Sequence, residues 1–329
     1  MSKKFINHPI NTIKKENYQQ MSLLNESEKK VLNLLELNCR LSLNQISKKS
    51  HLSNQGVLNI INRLYDKKII IKFNTKLNLS KMGFKLYPVH IKLINSNEII
   101  RNKITKIILK HTNFCWHTFC EGEYDLLLSF KILNEKDKIK MSNVLFELSQ
   151  YISDKDINIV TKAFEINRVF IKSNKDYKIF MTYDSNLEII NIKHDELELI
   201  NLLKINSRSS IVDLSIKLGL NSKTIVNKIK NLKKSGIISA FKTKIDMAKL
   251  NYHPGIILIS FNKHTTNDYN KFVTFCKTKR QVSYFVKQIG KYDIDLTVDF
   301  KDINDFYSFV NLIRDEFPFI KKITTLIKK

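Results

Sequence analysis

Between residues 28 and 64, apolar side chains return every three or four positions. Val31, Leu34 and Leu35 do so in "NESEKKVLNLLELN", and Val57, Ile61 and Leu64 in "SNQGVLNIINRLYDKK". This period predicts amphipathic helices. Asn25 or Ser27 can cap the first helix, and Ser42 can cap a short helix in "SLNQISKKS". The same three patterns return in "HDELELINLLKIN", "SIVDLSIKLG" and "NSKTIVNKIKNLKKSG". There Gly219 can end the second helix in the left-handed conformation and Asn221 can cap the third. Two helices at a steep angle across a short turn predict a helix-turn-helix, and the strand read in "IISAFKTKI" predicts its winged variant.

After each three-helix unit the period drops to two. Alternating strands at 86–94 and 255–262 are followed by helices at about 97–110 and 267–277. Two strands then flank a Gly-x-Tyr-Asp turn, Gly122–Asp125 in one unit and Gly290–Asp293 in the other. Helices at about 135–150 and 302–315 and a last strand complete each unit. The order βαββαβ predicts a ferredoxin-like sheet with helices on one face. The other face needs a cover, and the second sheet is the candidate.

The fold class expected is therefore α+β, with two winged helix-turn-helix domains alternating with two ferredoxin-like domains. The boundaries read as an extension over 1–24, then 25–80, 84–172, a linker over 173–192, 193–248 and 252–329. In the linker, "KIFMTY" and "LEIINI" can pair as a hairpin. Laying Glu28 on Glu196 gives an offset of 196 − 28 = 168, and without a gap Asn33, Leu34, Arg40 and Ser42 fall on Asn201, Leu202, Arg208 and Ser210. Gly122–Asp125 falls on Gly290–Asp293 at the same offset, so the repeated unit is nearly half of the chain.

Charge narrows the function. Lys and Arg number 56 against 31 Asp and Glu, a net +25, which implies a polyanionic partner. A general bias toward Lys, Asn and Ile contributes to that excess. No apolar run is long enough to span a membrane, and residues 1–20 lack a signal-peptide core. Cys39, Cys115, Cys120 and Cys276 form no C-x-x-C pair, which points to a reducing, cytoplasmic setting. Cys115, His117 and Cys120 do not share one strand face, so no metal is expected. No phosphate-binding, dinucleotide or hydrolase motif is present, so neither a cofactor nor an enzymatic role is expected. Asp293 and Asp295 share a strand face, without a partner that would make them a catalytic pair.

On a helical wheel the third helix of each unit turns a polar face away from its apolar stripe. The candidate DNA-contacting residues are Asn54, Gln55, Asn59, Asn62 and Arg63 in the first copy. In the second they are Ser222, Lys223, Thr224, Asn227, Lys230, Asn231 and Lys234. Asn and Gln match adenine, Arg matches guanine, and Lys serves phosphates. A solvated surface is the default for such a face. Duplication within the same three-helix pattern on a basic chain favours double-stranded DNA. The copies are unequal: His51, Ile60, Asp66 and Lys68 stand where Gly219, Lys228, Lys234 and Gly236 stand. The second copy is thus expected to supply more of the phosphate attraction, aided by Lys3, Lys4, Lys14 and Lys15 of the extension.

The segment "LINLLKINSRSSIVDLSIKLGLNSKTIVNKIKNLKKSGIISAFKTKIDMAKLNY", with "VSYFVKQIGKYDIDLTV", resembles the Lrp/AsnC, or feast-famine, transcriptional regulators. The resemblance covers about 28–171 and 194–329. It implies a nucleoid-associated regulator that pairs through its ferredoxin-like domains and senses a small metabolite such as an amino acid. One chain would then be an intramolecular pseudo-dimer, open to further homo-oligomerisation, holding two half-sites of an imperfect palindrome. By the same analogy the effector would lie near Gly122, Asp125, Gly290 and Asp293, which a plain hairpin turn explains equally well. An enzyme of the same superfamily, a sirohaem decarboxylase, is the alternative. Its H-N-Y stretch is missing from "FCWHTFCEGEYD" and "VSYFVKQIGKYD", which leaves His117 as a lone candidate.

Overall fold

The computed structural model describes residues 24–168 and 178–329. The extension with its four lysines, and residues 169–177 with the start of the linker, lie outside the described residues. The first winged unit is α1 (Glu26–Leu37), α2 (Leu43–Ser50), α3 (Asn54–Asp66) and β1 (Ile70–Leu77). The first ferredoxin-like unit is β2 (Lys85–Leu93), α4 (Glu98–Leu109), β3 (Phe114–Gly122), β4 (Leu126–Ile132), α5 (Glu135–Glu147) and β5 (Ile152–Ile157), with β6 (Ile159–Ile166) continuing β5. After β7 (Ile179–Asp184) come α6 (His194–Ile205), α7 (Ile211–Leu218), α8 (Ser222–Lys234) and β8 (Ile238–Ile245). The second ferredoxin-like unit is β9 (His253–Phe261), α9 (Thr266–Thr278), β10 (Val282–Ile289), β11 (Ile294–Phe300), α10 (Ile303–Glu316) and β12 (Ile320–Lys328).

Local chemistry sets the helix starts. Asn25 and Glu28 exchange side-chain-to-backbone hydrogen bonds, each 2.8 Å, and so cap α1. Ser53 caps α3 through Gly56 N at 3.0 Å, and Asn221 caps α8 through Thr224 N at 2.8 Å. Inside each helix-turn-helix the Ser47 hydroxyl donates to the Leu52 carbonyl, and Ser215 donates to Leu220 in the same way.

The wings pair with one another. β1 and β8 form a two-stranded antiparallel ribbon in which Phe73 faces Thr243, Asn74 faces Lys242 and Thr75 faces Phe241. Asn74 and Lys242 are 168 residues apart, so the local twofold passes between them. Reciprocal contacts surround this axis. Arg40 donates to the carbonyls of Ser207 and Ser209, at 2.5 and 3.1 Å, and Arg208 donates to those of Cys39 and Leu41. Arg40 also lies over Phe241 at 5.5 Å, and Arg208 over Phe73 at 5.1 Å. Thr75 donates to Leu203 O at 2.7 Å and Thr243 to Leu35 O at 3.0 Å. Leu24, Val31, Leu35, Val57 and Leu64 share one apolar core with Leu199, Leu203, Leu214, Ile225 and Leu232. Each such side chain, fully buried, contributes about 1.5–3 kcal/mol, so neither winged unit has a complete core alone.

The remaining strands form a ten-stranded sheet of order β5-β2-β4-β3-β12-β9-β11-β10-β6-β7. Each half has the expected ferredoxin-like order. Apolar residues on one face, such as Leu126, Leu128 and Phe130, pack under α4 and α5; Ile257, Ile259 and Phe285 do so under α9 and α10. The opposite faces meet, with Cys120, Tyr124 and Leu127 packing on Ile256, Leu258, Tyr292 and Leu326. Pairing of β12 with β3 and of β6 with β10 stitches the halves at their edges.

The linker departs from expectation. "LEIINI" is not a strand, and β7 pairs instead with β6 along Ile166–Lys162. β6 offered a free row of backbone groups, and Ile190 and Ile192 pack against the winged-unit core. Leu24 is likewise buried there, so the first winged unit begins before residue 25.

Candidate nucleic-acid interface

α3 and α8 bury Val57, Ile61 and Leu64, and Ile225, Ile229 and Leu232, in the shared core. That seats them as pseudo-equivalent helices with their polar faces outward. Asn54, Gln55, Asn59, Asn62 and Arg63 are exposed on α3, and Ser222, Lys223, Asn227, Lys230, Asn231 and Lys234 on α8. Thr224 is half-buried, and its hydroxyl donates to the side-chain Oδ1 of the capping Asn221 at 2.9 Å. Gln55 donates to Asn59 at 2.9 Å, so these two amides hold each other in a fixed orientation. The outward face thus gathers amides on α3, and amides with lysines on α8.

Charge differs between the copies in a specific way. Arg63 is drawn to Glu28 at 2.9 Å, with Lys67 3.6 Å from the same oxygen. Its pseudo-equivalent, Asn231, has no such partner among the described ion pairs. On α8, Lys228 turns inward to Asp195 at 2.6 Å, where the first copy has the buried Ile60. Lys223, Lys230 and Lys234 make no ion pair among the described residues. The helix ends differ too: His51 and Lys68 hold φ of 59° and 55° where Gly219 and Gly236 hold 63° and 78°. A Cβ makes that left-handed backbone costly, by about 1–2 kcal/mol at each position.

Comparison with known proteins agrees with this geometry. Residues 24–71 match the family model for winged helix-turn-helix DNA-binding domains. An uncharacterized HTH-type transcriptional regulator of Pyrococcus furiosus is 32% identical over 137 residues, spanning 39% of this chain and 91% of that one. This chain belongs to the Lrp/AsnC family of DNA-binding transcriptional regulators. A second regulator of the same organism is 30% identical over 114 residues, 35% of this chain and 76% of that one. Each such relative matches little more than a third of this Lrp/AsnC chain, as a tandem duplication requires. Over nearly its whole length the chain shares a fold with the sirohaem decarboxylase NirDL, solved with an iron-uroporphyrin III analogue. The TM-score is 0.62 at 8% identity, covering 92% of this chain and 91% of that one.

The other sequence-derived site residues have folding duties in this Lrp/AsnC chain. Gly122 and Gly290 sit at φ of 139° and 154°, and a Cβ on Gly290 would lie 2.0 Å from Asn158 Oδ1. A Cβ on Gly122 would lie 2.7 Å from the Thr325 carbonyl. Each turn is thus pressed onto the other half. The Asp125 carboxylate accepts from Leu93 N at 3.0 Å, and that of Asp293 from Phe261 N at 2.8 Å. His117 lies between Phe114 and Phe119, at 5.5 and 5.9 Å, on the opposite face of β3 from Trp116. Among the described residues no group of His, Cys, Asp or Glu is arranged to hold a metal, and no helix is long and apolar enough to cross a membrane.

Sequence reasoning missed two features. The first is a buried charge cluster where the ribbon meets the sheets. Lys242 is 1% exposed and pairs with Glu36 at 2.9 Å, with Glu165 at 3.8 Å and the Phe180 ring at 4.8 Å. Lys76 pairs with Glu165 at 2.8 Å, and Arg168 with Asp299 at 2.6 Å. Burial alone would raise Glu165, but Lys76 and Lys242 outweigh it and hold the carboxyl down at about 2.

The second is a cavity of about 320 Å³ between the two ferredoxin-like halves of the sheet, reached by β1 through Lys76. Asp295 and Lys328 line it. Burial pushes the Asp295 carboxyl up to about 6, against the pull of Lys328, and burial lowers Lys328. In the unfolded chain an Asp titrates near 3.9, so the folded state keeps the proton longer. Stability therefore falls as pH rises from about 4 to about 6. Asp295→Asn should remove that slope and stabilise the chain above pH 6 by about 3 kcal/mol, with no gain below pH 4. Thermal melts between pH 4 and 8 test this; parallel profiles for the two proteins would mean that the carboxylate is solvated.

Proposed function

We propose that this chain is a sequence-specific regulator that holds two half-sites of an imperfect palindrome with unequal readers, has no enzymatic role and responds to a small metabolite. The observation that carries this reading is the reciprocal ribbon and shared core, which fix α3 and α8 as one unit with polar faces free. Linking two readers makes the second contact intramolecular. α8 supplies most of the phosphate attraction, and α3 reads mainly with Asn54, Gln55, Asn59 and Asn62. The bound form works in the cytoplasm at the nucleoid. Mapping genomic fragments retained by the purified chain, followed by gel-shift titration, tests this. Recovery of no enriched sequence would overturn it.

Asn227→Ala should relax the preference for adenine in one half-site, costing about 1–3 kcal/mol on the best site and little on other sequences. Equal loss on all sequences would count against base reading by α8.

The fold shared with NirDL favours a second reading, a tetrapyrrole enzyme. Two observations weigh against it. The cavity between the halves, about 320 Å³, is at the floor of the range for small-ligand sites, about 300–1,000 Å³. His117 faces the helices and not the cavity. Absorbance spectra after incubation with sirohaem decide between the two: a regulator shows no protein-bound haem band.

A further inference from the structure

We propose that the junction of the ribbon with the first ferredoxin-like unit holds a phosphate group, free or as a monoester, between Lys131 and Lys204, with Lys72 and Lys244 beside it. The site is independent of the regulatory reading above.

The local twofold between Asn74 and Lys242 gives the ribbon two flanks, and their charges are opposite. On one flank stand Glu36 of α1 and Asp299 of β11. Both are buried, and Arg168 joins them. Its guanidinium donates to Asp299 at 2.6 and 3.4 Å, and its backbone amide donates to Glu36 at 3.4 Å. Lys242 serves Glu36 as well, at 2.9 Å. That flank is a pair of acids closed by cations.

The offset of 168 matches Glu36 with Lys204, Asp299 with Lys131, Ala240 with Lys72 and Lys76 with Lys244. Lys242 is matched by the neutral Asn74. The second flank thus keeps the places of the two acids and fills them with lysines. Lys72 and Lys244 stand opposite each other in the ribbon register, where like charges repel. Lys204 is exposed to solvent, yet the packing around its ammonium and the repulsion of Lys131 and Lys72 lower it from its usual value. Lys131 lies over the Phe84 ring at 5.8 Å, and none of the four lysines makes an ion pair among the described residues. Lys72, Lys204 and Lys244 are exposed and Lys131 is half-buried, so a ligand reaches them from solvent.

Two lysines in the places of two acids call for an anion in the place of the bridging guanidinium. A phosphate group suits that place. It meets two ammonium groups at once through separate oxygens, and it carries a charge of about −1.5 to −2 at pH 7. A carboxylate neutralises one lysine and leaves the others repelling. Lys72 points to the opposite side of β1 from Phe73, which belongs to the winged-unit core, so the site lies on the side of the ribbon that meets the sheet. Bound there, the anion pins α6 of the second winged unit to β4, as Arg168 pins α1 to β11 on the other flank.

Trp116 is the only tryptophan of the chain, and it faces Ser129, one pleat from Lys131, so its fluorescence reports on the site. Titration of the full chain at constant ionic strength, balanced with chloride, should give a saturable change with inorganic phosphate and with methyl phosphate, and none with acetate. Saturating phosphate should raise Tm by about 1–3 °C over chloride. Lys131→Gln and Lys204→Gln should each weaken the phosphate response about tenfold or more, whereas Lys263→Gln, in the loop before α9, should keep it. Lys204→Glu, which supplies the acid that the other flank has in Glu36, should stabilise the chain in chloride and abolish the phosphate response. A response to inorganic phosphate without one to the ester assigns the site to the free ion. A shift that survives both glutamine variants is a bulk salt effect and overturns the proposal, as does the lack of any saturable change. Should a glutamine variant fail to fold, the unaltered chain still decides, because a response to acetate equal to that to phosphate also overturns it.

Discussion

Lys223→Ala together with Lys230→Ala weakens binding to every DNA sequence, by about 10–100-fold near physiological salt, and flattens the salt dependence by about two units of slope. Both side chains are exposed on α8, and neither has an acidic partner among the described residues. Their charge is therefore free for phosphates, and each contact displaces about 0.9 counterion. The matching change on α3, Asn62→Ala, leaves the slope unaltered, because the cation there, Arg63, already pairs with Glu28 at 2.9 Å. Fluorescence anisotropy across a salt series measures both quantities. A slope that is the same in the double variant and the unaltered chain would mean that this face does not meet the backbone.

Lys242→Ala should cost about 3–5 kcal/mol, the largest stability loss expected from a single substitution here. Lys242 sits 2.9 Å from Glu36, which is itself 1% exposed. Removing the ammonium strands that carboxylate without a counter-charge and strips one neighbour from Glu165. The loss belongs to the orphaned acid more than to the pair. Lys242→Met with Glu36→Leu therefore recovers most of it, since an apolar pair of similar volume needs no desolvation. Urea melts of the single and double variants form a cycle that isolates the coupling. A cost below about 1 kcal/mol for Lys242→Ala would show water reaching the junction.

Much of this architecture was legible in the residues. The period of three to four fixed α3 and α8 through Val57, Ile61, Leu64, Ile225, Ile229 and Leu232, and the offset of 168 returned as contacts such as Cys39 with Ser207, 3.0 Å apart. Signals that are local in the chain were readable because helix period and capping are local physics. What escaped depends on partners distant in sequence. "LYPVHIKLI" alternates and a cover for its second face was expected, but nothing local told that His90 would be buried under that cover without a hydrogen-bond partner among the described residues. "ISAFKTKI" holds two lysines, of which Lys242 is buried and Lys244 exposed, and nothing nearby in the chain names Glu36 as the partner of the buried one. β7 was misread as a hairpin arm because its true partner, the open edge of β6, exists only after the halves are stitched. The candidate contacts on α3 and α8 were placed by the wheel, whereas the bond of the Thr224 hydroxyl to the capping Asn221 and the diversion of Arg63 needed neighbours in space.

The core beneath α3 and α8 is drawn from one polypeptide, so dilution cannot take it apart. Readers on separate chains lose their pairing once the protein becomes scarce, and their occupancy of an operator then falls with the square of concentration. With both readers on one chain, as in the function proposed above, occupancy would stay proportional to the number of molecules.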